Sequence, residues 1–137
     1  MIRVFYIIIA QIQQIGVIPL NKPMYKVEII CRPQKLETLR TALCEIGVTG
    51  MTVHHVLGCG RKNDERSYYR PHTASDLKEQ IKIETVISEV SVDTLLDKVQ
   101  QVLKIGDVGE GKVFVSEICG VLRIRTGQRD YEALQYQ

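Results

Sequence analysis

The chain has 137 residues, an apolar fraction of 45%, few aromatic side chains and no Trp. That length suits one domain with its own core, and that apolar content argues against disorder throughout. The 18 basic and 16 acidic side chains leave a formal net charge of +2, too balanced for a surface that grips a nucleic-acid backbone, so any anion site must be local.

Residues 1–23 stand apart. The run from Val4 to Leu20 is rich in Ile and Val but is broken by Gln11, Gln13, Gln14 and Gly16. It has neither a small-residue cleavage site nor the roughly 20 clean apolar positions of a membrane span. It is read as an N-terminal extension outside the fold, with Met24 directly before the first patterned strand.

From Tyr25 to Ile30 apolar residues recur at every second position and Pro33 ends the run, which predicts a strand. Leu36, Leu39, Leu43 and Ile46 then fall at helical spacing, and Gly47 supplies a left-handed stop. Met51 to Leu57 alternate again as a second strand, ending at the turn signal Gly58-Cys59-Gly60. The stretch from Gly58 to Leu77 follows neither period and predicts a long functional loop. Ile81, Ile83, Thr85 and Ile87 mark a third strand, and Val92, Leu95, Leu96, Val99 and Leu103 a second amphipathic helix. A Gly-rich turn, Gly106 to Lys112, leads into a fourth strand over Val113 to Ile118, a short apolar stretch over Val121 to Ile124, and a polar tail.

Strand, helix, strand, long loop, strand, helix, strand is the split βαβ order of an α+β, ferredoxin-like fold, with two helices on one face of a four-stranded antiparallel sheet. The other face is expected to expose apolar positions and to be covered by self-association into a closed symmetric oligomer.

Cys31, Cys44, Cys59 and Cys119 form no Cys-x-x-Cys pair and no cluster with metal-ligand spacing, so they read as semi-buried thiols of a reduced, cytosolic protein with no metal site. His54 and His55 are adjacent in a strand and point to opposite faces, so they cannot share one metal. No Ser/His/Asp or Cys/His arrangement and no acid/base carboxylate pair emerges, which leaves no catalytic residue to name.

Two elements could bind an anion. The Gly106 to Lys112 turn lacks the Ser or Thr that follows Lys in a P-loop, and a strand follows it, so it is no Walker motif. Its small residues still let backbone N–H groups approach a phosphate, with Lys112 as a point charge, and a plain turn is the alternative. Arg123 and Arg125 are two apart and are expected to share one side of a strand end, where guanidinium forks suit phosphate oxygens; a solvated edge is the alternative.

Taken together, Lys26-Val27-Glu28-Ile29-Ile30-Cys31-Arg32-Pro33, Gly47-Val48-Thr49-Gly50-Met51-Thr52-Val53, Gly58-Cys59-Gly60-Arg61, Gly109-Glu110-Gly111-Lys112-Val113-Phe114-Val115 and Arg123-Ile124-Arg125-Thr126-Gly127 resemble the PII signal-transduction family. The match runs in order from Met24 to about Leu134, and its flavour is that of ammonium-transporter-associated members from low-GC Gram-positive bacteria.

The resemblance implies a PII domain over residues 24–137, forming a homotrimer with three clefts that bind ATP or ADP. It implies a T-loop at 58–77, a B-loop at 104–112 and a C-terminal loop at 124–137. Carried over by position, one cleft wall holds Ile30, Gly58, Arg61, Lys62, Gly109, Glu110, Gly111 and Lys112. The neighbouring subunit supplies Gly50, Met51, Thr52, Val86, Arg123 and Arg125. Tyr69 and Arg70 fit the family's Tyr-Arg pair, whose arginine plugs an ammonium channel. The implied protein is cytoplasmic, recruited to the membrane through an ammonium transporter, with a transcription factor or a nitrogen-metabolism enzyme as a further partner and no nucleic acid.

Three departures stand out. Thr73-Ala74-Ser75 replaces the family's modified Glu-Tyr pair, which argues against uridylylation there. Lys62 replaces the glutamine that helps bind magnesium and 2-oxoglutarate, and Gln80 replaces the lysine that pairs with the oxoacid carboxylate; both changes argue against Mg2+ and 2-oxoglutarate as ligands. The altered loop leaves a second reading open, a PII-like sensor of another metabolite that binds adenine nucleotide and regulates a different partner.

Overall fold

The computed structural model describes residues 22–59, 77–104 and 111–135. The order is β1 (Met24–Cys31), a 3-10 turn (Pro33–Lys35), α1 (Leu36–Glu45), β2 (Thr52–Gly58), β3 (Lys78–Ile87), α2 (Val92–Leu103), β4 (Lys112–Ile118) and a short α3 (Asp130–Leu134). The four strands form one antiparallel sheet in the order β2-β3-β1-β4, the ferredoxin-like arrangement that the strand and helix order predicts.

Period two on the central strands and period 3.6 on the helices meet in one core. Val27, Ile29 and Cys31 of β1 and Ile81, Ile83 and Ile87 of β3 point to the same face, where Leu39 and Leu43 of α1 and Leu95, Val99 and Leu103 of α2 cover them. Gly47 ends α1 at φ +94, with Val48 N–H donating to Leu43 O at 3.0 Å and Gly47 N–H to Cys44 O at 3.0 Å, so a left-handed residue closes the last carbonyls. Ser91 caps α2 by accepting the Thr94 N–H at 3.1 Å.

The sheet face away from the helices carries the expected partly exposed apolar positions around a charged centre that the sequence pattern did not announce. In register, Glu28 stands directly opposite Glu84, an arrangement that repels in isolation. Two lysines interleave with them. Lys26 Nζ lies 3.0 Å from Glu28 and 3.5 Å from Glu84, while Lys82 Nζ lies 2.5 Å from Glu84 and 3.7 Å from Glu28. Hydrogen bonding to Lys82 holds the Glu84 carboxyl below the ordinary carboxylate value, and hydrogen bonds to Glu28 and Glu84 hold Lys26 and Lys82 above the ordinary lysine value. Apolar positions surround this charged centre: Phe114 of β4 is 50% exposed, and Ile30, Val56, Val86 and Ile118 on the same face are half-buried.

His54 belongs to the same charged face, 4.0 Å from Glu84, and adjacent His55 points to the helix side. Both are exposed, and so are Cys44, Cys59 and Cys119; of the four thiols, only Cys31 is buried. Among the described residues no helix is long and apolar enough to cross a membrane. Most of the long loop, residues 1–21 and the turn at 105–110 lie outside the described residues.

Candidate anion-binding site

One end of the sheet gathers the C-terminus of β1, the N-terminus of β4 and the open end of the β2–β3 hairpin. Ile30 is the register partner of both Lys82 and Lys112. Gly111 sits at φ +123 just before Lys112, and a Cβ built on it would fall 1.8 Å from the Ile30 carbonyl oxygen. Only a residue without a side chain brings the turn this close, which aims Lys112 from the sheet end. Gly58, opposite Lys78, lies farther out on the part of the hairpin that runs beyond β1. Its missing Cβ is replaced by the Gln80 amide, whose Oε1 would be 2.0 Å from it. Of the residues expected on this wall, Ile30, Gly58, Gly111 and Lys112 thus share one end, while Arg61, Lys62, Gly109 and Glu110, like Tyr69 and Arg70, lie outside the described residues.

The second group lies at the opposite end. Thr85, buried in β3, donates its hydroxyl to the Gly50 carbonyl at 2.6 Å and so pins the segment that leads through Met51 to Thr52. Thr52 is the partner of Glu84, placing it beside Val86 on the same face. Sequence periodicity assigned Thr85 to the strand but could not show what its hydroxyl holds.

Arg123 and Arg125 are not on a strand end, which corrects the sequence expectation. They lie in a turn bounded by an isolated bridge between Leu122 and Arg129. Gly127, at φ +73, donates its N–H to Arg123 O at 2.8 Å, and Arg123 N–H donates to Gln128 O at 2.9 Å. Gly127, free to adopt this positive φ, is the sequence signal that the turn leaves. The Arg123 guanidinium donates to Gln128 Oε1 at 3.3 Å and to the Gln135 carbonyl. Arg125 is exposed and has no hydrogen bond or ion pair among the described residues.

The segment read as a polar tail is a clip. Asp130 adopts φ 51, and its N–H donates to Val121 O at 2.8 Å while its Oδ1 accepts the Val121 N–H at 3.2 Å. Aspartate tolerates this left-handed conformation because its short side chain can bond locally. The Tyr131 hydroxyl donates to Glu89, Lys22 lies 2.8 Å from the same carboxylate, and its ammonium sits 4.8 Å above the Tyr131 ring. These exposed contacts tie the C-terminal clip to the start of β1 and to the turn after β3.

The two groups cannot meet within one chain. Thr52 and Gly58 are six residues apart on β2, and Lys112 and Ile118 six apart on β4, which is about 20 Å of strand in each case. Val86 pairs with Lys26, four residues from Ile30, or about 13 Å. Within one chain the two groups therefore lie roughly 13 to 20 Å apart along the strands.

Residues 24–128 match the family model described as nitrogen regulatory protein P-II. A nitrogen regulatory protein P-II of Synechocystis is 41% identical over 112 residues, covering 81% of this chain and 100% of that protein. The nitrogen regulatory PII-like protein of Bacillus subtilis is 44% identical over 112 residues, covering 81% and 97%. Among solved structures, Bacillus subtilis GlnK in complex with ATP superposes with a TM-score of 0.69 at 39% identity over 83% of this chain and 98% of that one. Arabidopsis thaliana PII bound to citrate gives 0.67 at 30% identity over 82% and 92%.

Proposed function

The chain belongs to the nitrogen regulatory protein P-II family, whose members are regulatory signalling proteins rather than enzymes, and on that premise we propose that it is a homotrimeric sensor of ATP against ADP. The observation that carries this reading is the separation of its two candidate anion-binding groups to opposite ends of one sheet. A ring of copies joins the Gly111–Lys112 end of one to the Arg123–Arg125 end of the next. Backbone N–H groups beside Gly111, the Lys112 ammonium and the two guanidinium groups then converge on the polyphosphate. The solved ATP complex of a 39% identical GlnK supports nucleotide as the ligand.

Output runs through the loop at 58–77, which starts at the end of β2 and returns at β3. Tyr69 and Arg70 engage an ammonium transporter, and the protein is cytoplasmic until that partner draws it to the membrane. A transcription factor or a nitrogen-metabolism enzyme is a further partner. The nucleotide acts only if two loop states differ in their affinity for the γ-phosphate, because a ligand binding both equally shifts nothing. Titration of ATP and ADP by calorimetry, with the assembly followed by sedimentation, tests the reading. Three equivalent sites per trimer are expected; a monomer, or a trimer that binds neither nucleotide, rejects it.

A further inference from the structure

β1 pairs with β3 as far as Cys31 opposite Ile81, and β2 follows β3 farther out, through Val56–Gln80, Leu57–Glu79 and Gly58–Lys78. Those outer pairs form a two-stranded ribbon with no third strand among the described residues, and such ribbons are marginal on their own. The loop at 58–77 springs from this ribbon, so whatever braces the ribbon sets the pose of the loop. The brace is one side chain. Gln80 lies against Gly58, its Oε1 2.0 Å and its Cδ 2.9 Å from where a Gly58 Cβ would stand. Gly58 is not among the glycines with positive φ, so the Gln80 amide, and not the backbone conformation, is what requires glycine there.

Gln80 is half-buried, and its amide makes no hydrogen bond to any described residue. It shares a face with Lys82, which stands opposite Ile30, itself opposite Lys112. Gln80 therefore sits about 7 Å beyond the row Lys82–Ile30–Lys112 and about 10 Å, or two strand spacings, from β4. That is within reach of the far end of a polyphosphate held by Lys112. Lys82 in the same row is already engaged by Glu84 and Glu28. We infer that the Gln80 amide distinguishes ATP from ADP: it rests on Gly58 when ADP is bound and turns to donate an Nε2–H to the γ-phosphate when ATP is bound, which releases the ribbon. This rests on the sensor reading above and names the residue that couples its ligand to its loop. A neutral amide suits the task. An ammonium attracts any phosphate at long range, whereas a hydrogen bond needs an oxygen within about 3 Å and so requires the terminal phosphate itself. The resting contact with Gly58 uses none of the amide's donors, so leaving it forfeits packing alone and the balance between the two positions follows the ligand.

Gln80→Met keeps the length of the side chain and removes its donors. Calorimetry is expected to show ATP affinity falling about tenfold or more, the worth of a hydrogen bond to a charged group, and ADP affinity falling much less. Hydrogen exchange at the amides of residues 56–58 and 78–80 should be faster with ATP than with ADP in the unaltered protein, and equally fast with both in Gln80→Met. Equal losses of affinity for the two nucleotides, which a merely structural brace would give, overturn the inference. So does a difference in exchange between ATP and ADP that survives Gln80→Met. Lys78→Met is the control: if it removes the ATP preference and Gln80→Met does not, the reader is the exposed lysine opposite Gly58 and the inference fails. Should Gln80→Met not fold, Gly58→Ala decides. Its methyl group displaces the amide, so exchange at the ribbon with ADP should rise to the level seen with ATP, and an unchanged ribbon rejects the latch. Failure of the unaltered chain to bind either nucleotide counts instead against the sensor reading.

Discussion

Gly111 approaches Ile30 so closely that a methyl group on its Cα would fall 1.8 Å from the Ile30 carbonyl oxygen. The contact joins the start of β4 to the end of β1, and the obstacle is backbone rather than a side chain that could swing aside. Gly111 also holds φ +123. Gly111→Ala is therefore expected to lose about 2 to 3 kcal/mol of stability and to displace Lys112. Gly127, also left-handed at φ +73 but with nothing within 4 Å of its built Cβ, should lose only about 1 kcal/mol on changing to Ala. Urea unfolding of the two variants checks the order, and equal losses would mean that the Ile30 contact is relieved cheaply.

The charged face predicts a stability plateau with two edges. Glu84 has its pKa lowered from 4.5, so its contribution is present above 4.5 and is lost as pH falls through the lower folded value. Lys26 and Lys82 are raised from 10.5, so theirs is present below 10.5 and is lost as pH rises through the higher folded values. The lowered Glu84 value means that attraction to the lysines outweighs repulsion from Glu28. Glu84→Gln should thus lower the melting temperature across the plateau, and the gap from the unaltered protein should close in acid. A gap that stays constant down to pH 2 would show that the carboxylate charge is not what stabilises the pair.

Much of this architecture was legible because the central elements are periodic. Val27 and Ile29, Leu39 and Leu43, Ile81 and Ile83, and Leu95 and Val99 each announce a buried face by spacing alone. The charged face was not legible, although Lys26-Val27-Glu28 and Lys82-Ile83-Glu84 show the alternation, because the pairing of Glu28 with Glu84 depends on the β1–β3 register. The alternation of Arg123-Ile124-Arg125 mimics a strand and so predicts extended backbone. The bond from Gly127 N–H to Arg123 O closes a turn instead. The two groups of candidate residues come from family resemblance; the physical ground for proposing that they meet across copies is strand length, which emerges only once Thr52 and Gly58 are placed at opposite ends of β2.

The two arginines should separate in experiment. Arg125 is exposed and unpaired among the described residues, so Arg125→Ala should cost about 1 to 3 kcal/mol of ATP and ADP binding while leaving the isolated chain's fold unchanged. Arg123 also holds Gln128 and the Gln135 carbonyl. Arg123→Ala should add to a similar binding loss about 0.5 to 1.5 kcal/mol of lost clip stability. Calorimetry and thermal melts on both variants make the comparison, and unchanged affinity in either removes that residue from the site.

Arg70 lies outside the described residues, and its role rests on the Tyr69-Arg70 pair in the long loop. Arg70→Ala should abolish recruitment to membranes that carry the transporter while changing stability by no more than about 0.5 kcal/mol, the usual range for an exposed substitution. Normal recruitment, or a strongly destabilised chain, removes the residue from the partner interface.

The chain should read ATP against ADP and respond weakly, if at all, to 2-oxoglutarate. An oxoacid dianion needs a cationic partner for its carboxylate and open coordination positions on a metal. Lys62 stands where the family carries a glutamine near that metal, and an ammonium directed at the terminal phosphates competes with magnesium for the same oxygens. At the loop base the side chain against Gly58 is the neutral amide of Gln80, which offers hydrogen bonds without charge. Two nearby lysines are candidates to replace the missing cation. Lys82 is committed to Glu84 at 2.5 Å and Glu28 at 3.7 Å, so turning it to an oxoacid would leave the facing Glu28 and Glu84 without one of their two counter-charges. Lys78, exposed and opposite Gly58, is the one that remains available at the loop base. Titrating 2-oxoglutarate into the protein loaded with ATP and magnesium is expected to give no binding in the micromolar range. Gln80→Lys should create or strengthen it, because the restored ammonium would face the carboxylate beside Gly58. Micromolar binding that survives both Lys62→Ala and Lys78→Ala would show that the charge pattern at this loop base does not govern the response.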